Sequence, residues 1–234
     1  MRPLLVMCLC LASLTGCAPE GSSAYVSLNI PLDSDCLASP DSDVFLAVGD
    51  YDIQAGLNRT NVCRRSYFMH LLVNSNLKSN ANDATGRAEP NVLQITDAEV
   101  RLIDVEEQAL IPFDGRNQLP NPFRVKTNNT LPPTTGRDPQ KGIVAVEAIP
   151  VGYDEQLGDY VDRQIIAEVQ VFGTTTGDVD IDFKPFSFPI RICEGCLTRP
   201  CATSGATDNE KYGNECPDNG AQDGRLCYQP CIDD

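Results

Sequence analysis

The segment from Asp162 to Cys196 constrains the fold of this chain most strongly, because it reads as two long β-strands joined by a turn. In the first strand one parity is apolar throughout, at Ile165, Ala167, Val169 and Val171. The opposite parity is polar except at Ile166. A period of two is typical of a half-buried strand. We therefore predict a β-hairpin whose five-residue turn runs from Gly173 to Gly177.

The second strand of this hairpin changes parity along its length. Its apolar residues are first Val179, Ile181 and Phe183, and then, on the opposite parity, Phe186, Phe188, Ile190 and Ile192. One residue must therefore be absorbed between the two sets. Lys184-Pro185 lies at that point, and proline is tolerated at bulges and edges because it cannot donate a hydrogen bond to a neighbouring strand. We predict a bulge or strand break there.

Further strands are predicted wherever short apolar or alternating runs occur. They lie at residues 25–30, 44–48, 67–73, 92–104, 123–126 and 143–151, the last apolar on both faces and so expected to be central. The run at 92–104 contains a second parity slip, between Ile95 and Ala98. No stretch of ten or more residues has a convincing helical period. Short strands punctuated by Gly and Pro predict an all-β fold, an immunoglobulin-like antiparallel β-sandwich with a small disulfide-rich C-terminal module.

The N-terminus has the pattern of an export signal. Residues 1–17 hold one basic residue and a short apolar run that ends in Leu14-Thr15-Gly16-Cys17. This ending resembles the lipobox of bacterial lipoproteins. The resemblance implies that the peptide is cut before Cys17 and that this cysteine carries fatty acyl chains such as palmitate. Ala18, in place of aspartate, implies the outer membrane. The alternative is an ordinary signal peptide cut nearby, with Cys17 paired to another cysteine.

Charge and length bound the partners and the domains. The whole chain has a formal net charge of −15, and loss of Arg2 with the signal makes it −16. Such acidity argues against nucleic acid or anionic lipid as a partner. The predicted division is a signal peptide at 1–16, a tether at 17–23, a sandwich at 24–192 and a Cys-rich module at 193–234.

The cysteines predict a disulfide framework. Eight remain after removal of the signal and acylation of Cys17: Cys36, Cys63, Cys193, Cys196, Cys201, Cys216, Cys227 and Cys231. An even count in an exported chain implies four disulfides. Cys36 and Cys63 are paired by exclusion, whereas the pairing of the other six stays open. Two alternatives are zinc held by Cys193-x-x-Cys196 with Cys227 and Cys231, and a redox-active Cys193-x-x-Cys196 pair.

Other candidate chemistry is weak. His70, the only histidine, is expected to be hydrogen-bonded and partly buried, and a nucleophilic triad would need it. Alternating Asp178, Asp180 and Asp182 place three carboxylates on one strand face. Early loops are predicted to carry six more, at Asp33, Asp35, Asp41, Asp43, Asp50 and Asp52. Calcium could use such oxygens, but an ordinary solvated surface explains them as well. No cofactor is predicted.

These patterns predict a non-catalytic envelope lipoprotein that acts as a structural module or binds a protein or glycan. Ligand contacts are expected from the loops at 75–91 and 114–141 and from the Cys-rich tail. Two alternatives from other classes stay open. One is a calcium-dependent adhesion module. The other is an envelope enzyme, hydrolytic or redox, that uses the tail or a bound metal.

Overall fold

The computed structural model describes residues 23–33, 35–54, 66–79, 91–112, 119–199, 223 and 227–228. Its strands are β1 (Ala24–Asn29), β2 (Gly49–Asp52), β3 (Tyr67–Ser75), β4 (Leu93–Asp104), β5 (Ala109–Leu110), β6 (Phe123–Leu131), β7 (Gln140–Ile149), β8 (Gln164–Thr175), β9 (Asp180–Asp182), β10 (Phe186–Cys193), β11 (Thr198–Arg199) and β12 (Cys227–Tyr228). A short helix α1 (Asp154–Leu157) runs into one 3₁₀ turn (Gly158–Tyr160). Cys17 and the signal segment lie outside these residues.

Most of the strands belong to two sheets. The small sheet has the order β1-β3-β7. The large sheet has the order β2-β10-β8-β4-β5, with β6 also paired to β4 and β9 to β8. All these pairs are antiparallel except β2 with β10, which is parallel. The prediction of a mostly β fold is thus confirmed, whereas the large sheet is mixed rather than purely antiparallel.

One core lies between the two sheets. Its buried side chains form a single cluster that begins at Ala24 in β1 and ends at Ile192 in β10. The predicted inward residues of β8, Ile165, Ala167, Val169 and Val171, are all buried. The prediction of a central strand at 143–151 is wrong, because β3 is central and β7 is the last strand of the small sheet. Side chains of β6 cover its open edge, since Thr127 and Asn129 donate hydrogen bonds to carbonyls of β7.

Both predicted parity slips are present. Phe172 pairs with Asp182 in β9, but Val169 pairs with Phe186 in β10, so the register shifts by one residue and the strand breaks at 183–185. The second slip is an irregularity in β4 between Ile95 and Asp97. Val179, a predicted member of the first apolar set, is however 58% exposed and lies outside the core, whereas Ile181 and Phe183 are buried.

The predicted turn of the hairpin begins too early. β8 continues through Gly173 to Thr175, and the turn follows at 176–179. Gly173 serves another purpose. A Cβ there would lie 2.7 Å from the carbonyl oxygen of Gln94, at the irregular part of β4. Glycine therefore permits a close approach of two backbones. The strand predicted at 123–126, within the loop segment 114–141, is longer than expected, because β6 occupies Phe123–Leu131.

Strand direction gives the molecule two ends. At one end, which we call the entry end, Ala24 begins β1 and pairs with Ser75, the last residue of β3. The large sheet reaches the same end through Thr134, which follows β6 and donates its backbone N–H to the carbonyl of Leu77, just after β3. Residues that precede β1 join the molecule here.

The opposite end, which we call the far end, holds the other termini of these strands. Tyr67 begins β3 and pairs with Ile149, the last residue of β7. Soon after β7, Tyr153 packs its ring on Phe123, the first residue of β6, with centroids 5.3 Å apart. Asp104, the last residue of β4, also lies at this end because β4 and β6 are antiparallel.

Candidate functional site: a cleft on the outer face of the large sheet

An apolar row crosses four strands of the large sheet on its outer face. Leu110 pairs with Ile103, Ile103 with Ile166, and Ile166 with Pro189. Residues that pair directly share a face, and the neighbours of these residues along β4, β8 and β10 point into the core. Leu110 is 44% exposed and the other three are half-buried. We call these four residues the outer apolar row.

The neighbouring row toward the entry end is charged. The Arg101 guanidinium donates to the Glu99 carboxylate at 2.9 Å and to the Glu168 carboxylate at 3.3 Å. One cation thus lies between two anions. Each carboxylate keeps a quarter of its side-chain surface exposed, so the group adds little stability. It does leave carboxylate lone pairs at the surface.

A cleft of about 370 Å³ lies where the two rows meet. It is lined by Arg101, Ile103, Gln108, Leu110, Pro122 and Glu168. Its volume falls in the range of about 300–1,000 Å³ that is common for ligand sites, and its lining combines apolar side chains with a few polar groups. We call it the Arg101 cleft.

The Asn121 side chain positions one wall of the Arg101 cleft. Its amide nitrogen donates to the carbonyls of Leu102 at 2.8 Å and Ile111 at 2.9 Å. Its amide oxygen accepts from the Leu102 N–H at 2.9 Å. Asn121 therefore bridges β4 and the segment that follows β5, and it fixes the adjacent Pro122 at the rim.

Tyr153 supports the same wall of the cleft through the segment that precedes Asn121. Its hydroxyl donates to the carbonyl of Pro120 at 2.6 Å. Burial, with a smaller contribution from the nearby Glu147 carboxylate, raises the pKa of Tyr153 to about 12. The hydroxyl is thus protonated, and a donor, throughout the physiological range.

Asp104 holds the turn that brings Gln108 to the cleft. Its buried carboxylate accepts from the backbone N–H of Glu106 at 2.7 Å and pairs with Arg163 at 3.1 Å. The turn ends at Gln108, which has a φ of 52°, a left-handed conformation that a specific turn must support. The opposite wall of the cleft is thus held by hydrogen bonds as well.

The predicted Cys193-x-x-Cys196 motif is a disulfide, with Cα atoms 5.9 Å apart. This pairing contradicts the zinc interpretation of the motif, because both sulfurs are bonded to each other rather than free as thiolates. The strand-then-helix context of a thioredoxin-like redox motif is also missing here, since bends at 194–197 lead into β11. Cys36 is disulfide-bonded as well.

The remaining cysteine predictions cannot be followed in the structure. Cys17, Cys63, Cys201, Cys216, Cys231 and the side chain of Cys227 lie outside the described residues. The predicted bond from Cys36 to Cys63 and the pairing of the other tail cysteines therefore stay predictions.

A buried carboxylate joins the disulfide loop to the large sheet by hydrogen bonds. Asp52 is fully buried at the end of β2. Its carboxylate accepts backbone N–H groups from Gly195 at 2.8 Å, Leu197 at 2.7 Å and Gln54 at 3.0 Å. Asp52 therefore acts as a structural acceptor that sets the position of the first turn of the Cys-rich tail.

A second contact joins the tail to β2. The Asp223 carboxylate accepts from the Tyr67 hydroxyl at 2.8 Å and from the Asp50 N–H at 3.1 Å, and its own N–H donates to the Asp50 carbonyl. Burial and the Asp223 carboxylate raise the pKa of Tyr67 well above its ordinary value. Gly49 makes room for this hydroxyl, because a Cβ there would lie 2.0 Å from it.

The other sequence candidates do not assemble into a site. His70 is half-buried on β3, and its backbone N–H donates to the Asn29 side chain. Asp180 and Asp182 lie on β9, but Asp178 lies in the preceding turn with a φ of 61°. The prediction that all three share one strand face is therefore wrong.

The early aspartates also differ from expectation. Asp33 accepts the backbone N–H groups of Asp35 and Leu37 in a tight loop. Asp50 and Asp52 do not lie in a loop as predicted, since both belong to β2. Their backbone and side-chain contacts anchor the tail, which is a structural use of their oxygens.

Comparison with known proteins assigns no family. No known protein family matches the chain, and no curated protein resembles it at a significant level. In the part of the chain that the structure describes, no helix is both long and apolar enough to span a membrane.

Proposed function

We propose that this chain is a lipid-anchored, non-catalytic binding module of the bacterial cell envelope, built as an immunoglobulin-like sandwich. The lipobox resemblance at Leu14-Thr15-Gly16-Cys17 supports the anchor, and Ala18 supports the outer membrane. One core from Ala24 to Ile192 supports the division into a sandwich at 24–192 and a Cys-rich module at 193–234.

The observation that carries this proposal is the position of the cleft relative to the tether. Residues 17–23 join the molecule at the entry end, whereas Leu110, Pro122 and the disulfide loop lie at the far end. β4 connects the two ends with twelve residues, which is a length of about 40 Å at about 3.4 Å per residue. A tether at the entry end leaves the far end to face outward from the membrane.

The far end also has the surface of a binding module. Exposed apolar side chains that lie next to one another mark interaction sites more often than isolated ones do. The outer apolar row is a contiguous set of this kind, with Leu110 exposed and the other three residues half-buried. The hydrogen bonds of Asn121 and Asp104 hold its surroundings in place before any partner arrives. Such preorganisation lowers the entropic cost of binding.

The anchor is tested by the fate of Cys17. Cells are grown with labelled palmitate, and wild type is compared with Cys17→Ala and with Ala18→Ser as a matched control. We expect label and membrane sedimentation for wild type and Ala18→Ser, and neither for Cys17→Ala, because the thiol is the acylated group. Label that persists in Cys17→Ala, or unlabelled wild type, would contradict the anchored module.

A further inference from the structure

We infer that the outer apolar row, together with the neighbouring carboxylates of Glu99 and Glu168, binds a protein segment that presents aliphatic side chains next to lysine or arginine. This inference rests on the binding function proposed above and adds the chemical class of the partner. The occupant follows from the dimensions of the row, the charge beside it and the type of its side chains.

The dimensions fit an extended segment. The row from Leu110 to Pro189 crosses four strands, which is a span of about 14 Å at about 4.8 Å between strands. In an extended chain, side chains on one face recur every two residues, or about 6.8 Å. Two or three aliphatic side chains of one segment therefore match the row.

The charge beside the row favours a cationic partner. Nε and both terminal nitrogens of Arg101 already donate to Glu99 or Glu168, so this guanidinium offers little to an incoming anion. The three groups together carry one excess negative charge. At the same end Arg163 pairs with Glu106, which is 74% exposed, and with Asp104, so this second group also carries one excess negative charge. The chain as a whole carries −15, which steers cations toward the surface.

The side chains of the row favour a protein over a glycan. The row and the cleft contain leucine, isoleucine and proline, and none of the described residues that line the cleft is aromatic. Aliphatic side chains accommodate leucine-like groups of a protein segment. The flat C–H face of a sugar packs best on a flat ring instead. We therefore choose a protein segment and make the glycan an outcome of the test.

The test uses the exported protein purified with its native N-terminal processing and isotope-labelled for NMR. Three acetylated and amidated pentapeptides are titrated: KLSLK, the acidic analogue ELSLE and the polar analogue KSSSK. Chitotriose serves as the glycan probe. We expect saturable shifts at the amides of Ile103, Leu110 and Ile166 with KLSLK, and binding at least about fivefold weaker for both analogues.

Two variants tie the binding to the row. Ile103→Ser and Glu168→Gln should each weaken KLSLK binding by at least about threefold, the first through lost apolar contact and the second through lost charge. Val179→Ser and Asp182→Asn are the matched controls, since both residues are exposed at the entry end. Thermal unfolding of each variant identifies any loss that comes from misfolding, and Ile166→Ser then replaces Ile103→Ser.

The outcomes separate this inference from the proposed function. Equal binding of KLSLK and ELSLE, shifts away from the row, or chitotriose binding at the row without KLSLK would overturn the inference. None of these results affects the acylation of Cys17, which is measured separately. Loss of acylation would overturn the anchored module and leave the peptide titration valid, because that titration reads only the folded surface.

Discussion

The far end and the entry end of the molecule are held together in different ways. At the far end, the buried carboxylates of Asp52, Asp104 and Asp154 each accept hydrogen bonds, Asp154 from the Tyr51 hydroxyl. At the entry end, the loop after β6 is closed by Thr134, whose hydroxyl donates to the Asp138 carbonyl at 2.7 Å. One end is thus built around buried charge, and the other around ordinary loop contacts.

This difference indicates what the far end is for. Burying a carboxylate costs desolvation energy, and a well-packed apolar residue is often as stabilising. Folding alone therefore does not explain why Asp52 and Asp104 are buried, although removal of either carboxylate would leave its backbone donors without an acceptor. They do fix the directions of the disulfide loop and of the turn that carries Gln108. The buried carboxylates are therefore explained by the loop positions that they fix, and not by stability alone.

The largest expected effect compares Asp52 with Thr134. Asp52→Ala leaves the N–H groups of Gly195 and Leu197 without their acceptor in a buried site, so we expect the free energy of unfolding to fall by about 4 kcal/mol. Thr134→Ala removes two loop hydrogen bonds, one to the Asp138 carbonyl and one from the Gly136 N–H, and should cost about 1–2 kcal/mol. Urea denaturation measures both. Equal losses would remove the contrast between the two ends.

A glycine comparison comes next. In Gly49→Ala the new methyl group would collide with the Tyr67 hydroxyl and come within 3.0 Å of the Phe188 ring, so we expect a loss of about 3 kcal/mol. Gly158→Ala is the control, because nothing lies within 4 Å of its Cβ position. That variant should be neutral or slightly stabilising in the same urea series. A neutral Gly49→Ala would show that the Tyr67–Asp223 contact does not need this space.

Two asparagines sharpen the comparison at the level of the cleft. Asn121→Ala should cost about 2 kcal/mol and weaken KLSLK binding, because Leu102 and Ile111 lose their bridge. Asn129→Ala removes the side-chain bonds to the Ile143 carbonyl and from the Thr130 N–H, should cost about 1 kcal/mol and should leave peptide binding unchanged. NMR titration of both variants checks this. Equal peptide affinities would mean that Asn121 does not shape the cleft.

The smallest effect concerns Tyr153 and pH. Its pKa in the folded protein is about 12, above the unfolded value of about 10. The folded state therefore holds the proton more tightly, and the resulting stability is complete below pH 10 and lost as the pH rises toward 12. Tyr153→Phe should cost about 1 kcal/mol at pH 7 and make the fall between pH 10 and 12 shallower. An unchanged slope in urea titrations at these pH values would contradict the assignment.

Local pattern predicted much of the fold. Strict alternation located β4, β8 and β10, and the parity slips located both irregularities, because a one-residue shift moves every side chain to the other face. The parallel pairing of β2 with β10 escaped prediction. β2 has only four residues, Gly49–Asp52, and its paired residues in β10 lie 141 positions further along the chain, so no local signal reveals the contact.

In the sequence, the only sign of the cleft is that apolar residues interrupt otherwise polar strand faces. Ile166 interrupts the polar face of β8, and Ile103, which pairs with it, lies on the outer face of β4. Two such exceptions indicate an outer apolar patch only once the register is known. Gln108 and Pro122 belong to separate turns. The position of Gln108 depends on the hydrogen bond that Asp104 accepts, and that of Pro122 on the hydrogen bonds of Asn121. No rule of residue spacing predicts these bonds.

The central claim, that the far end is the binding end, can be tested in intact cells with a photoreactive side chain. p-Benzoylphenylalanine replaces Leu110 at the far end or Val179 at the entry end, both of which are exposed apolar positions. We predict a protein adduct from Leu110 that weakens when Ile166→Ser is added, and no protein adduct from Val179. Adducts of equal yield at both positions, or an adduct from Val179 alone, would contradict the account.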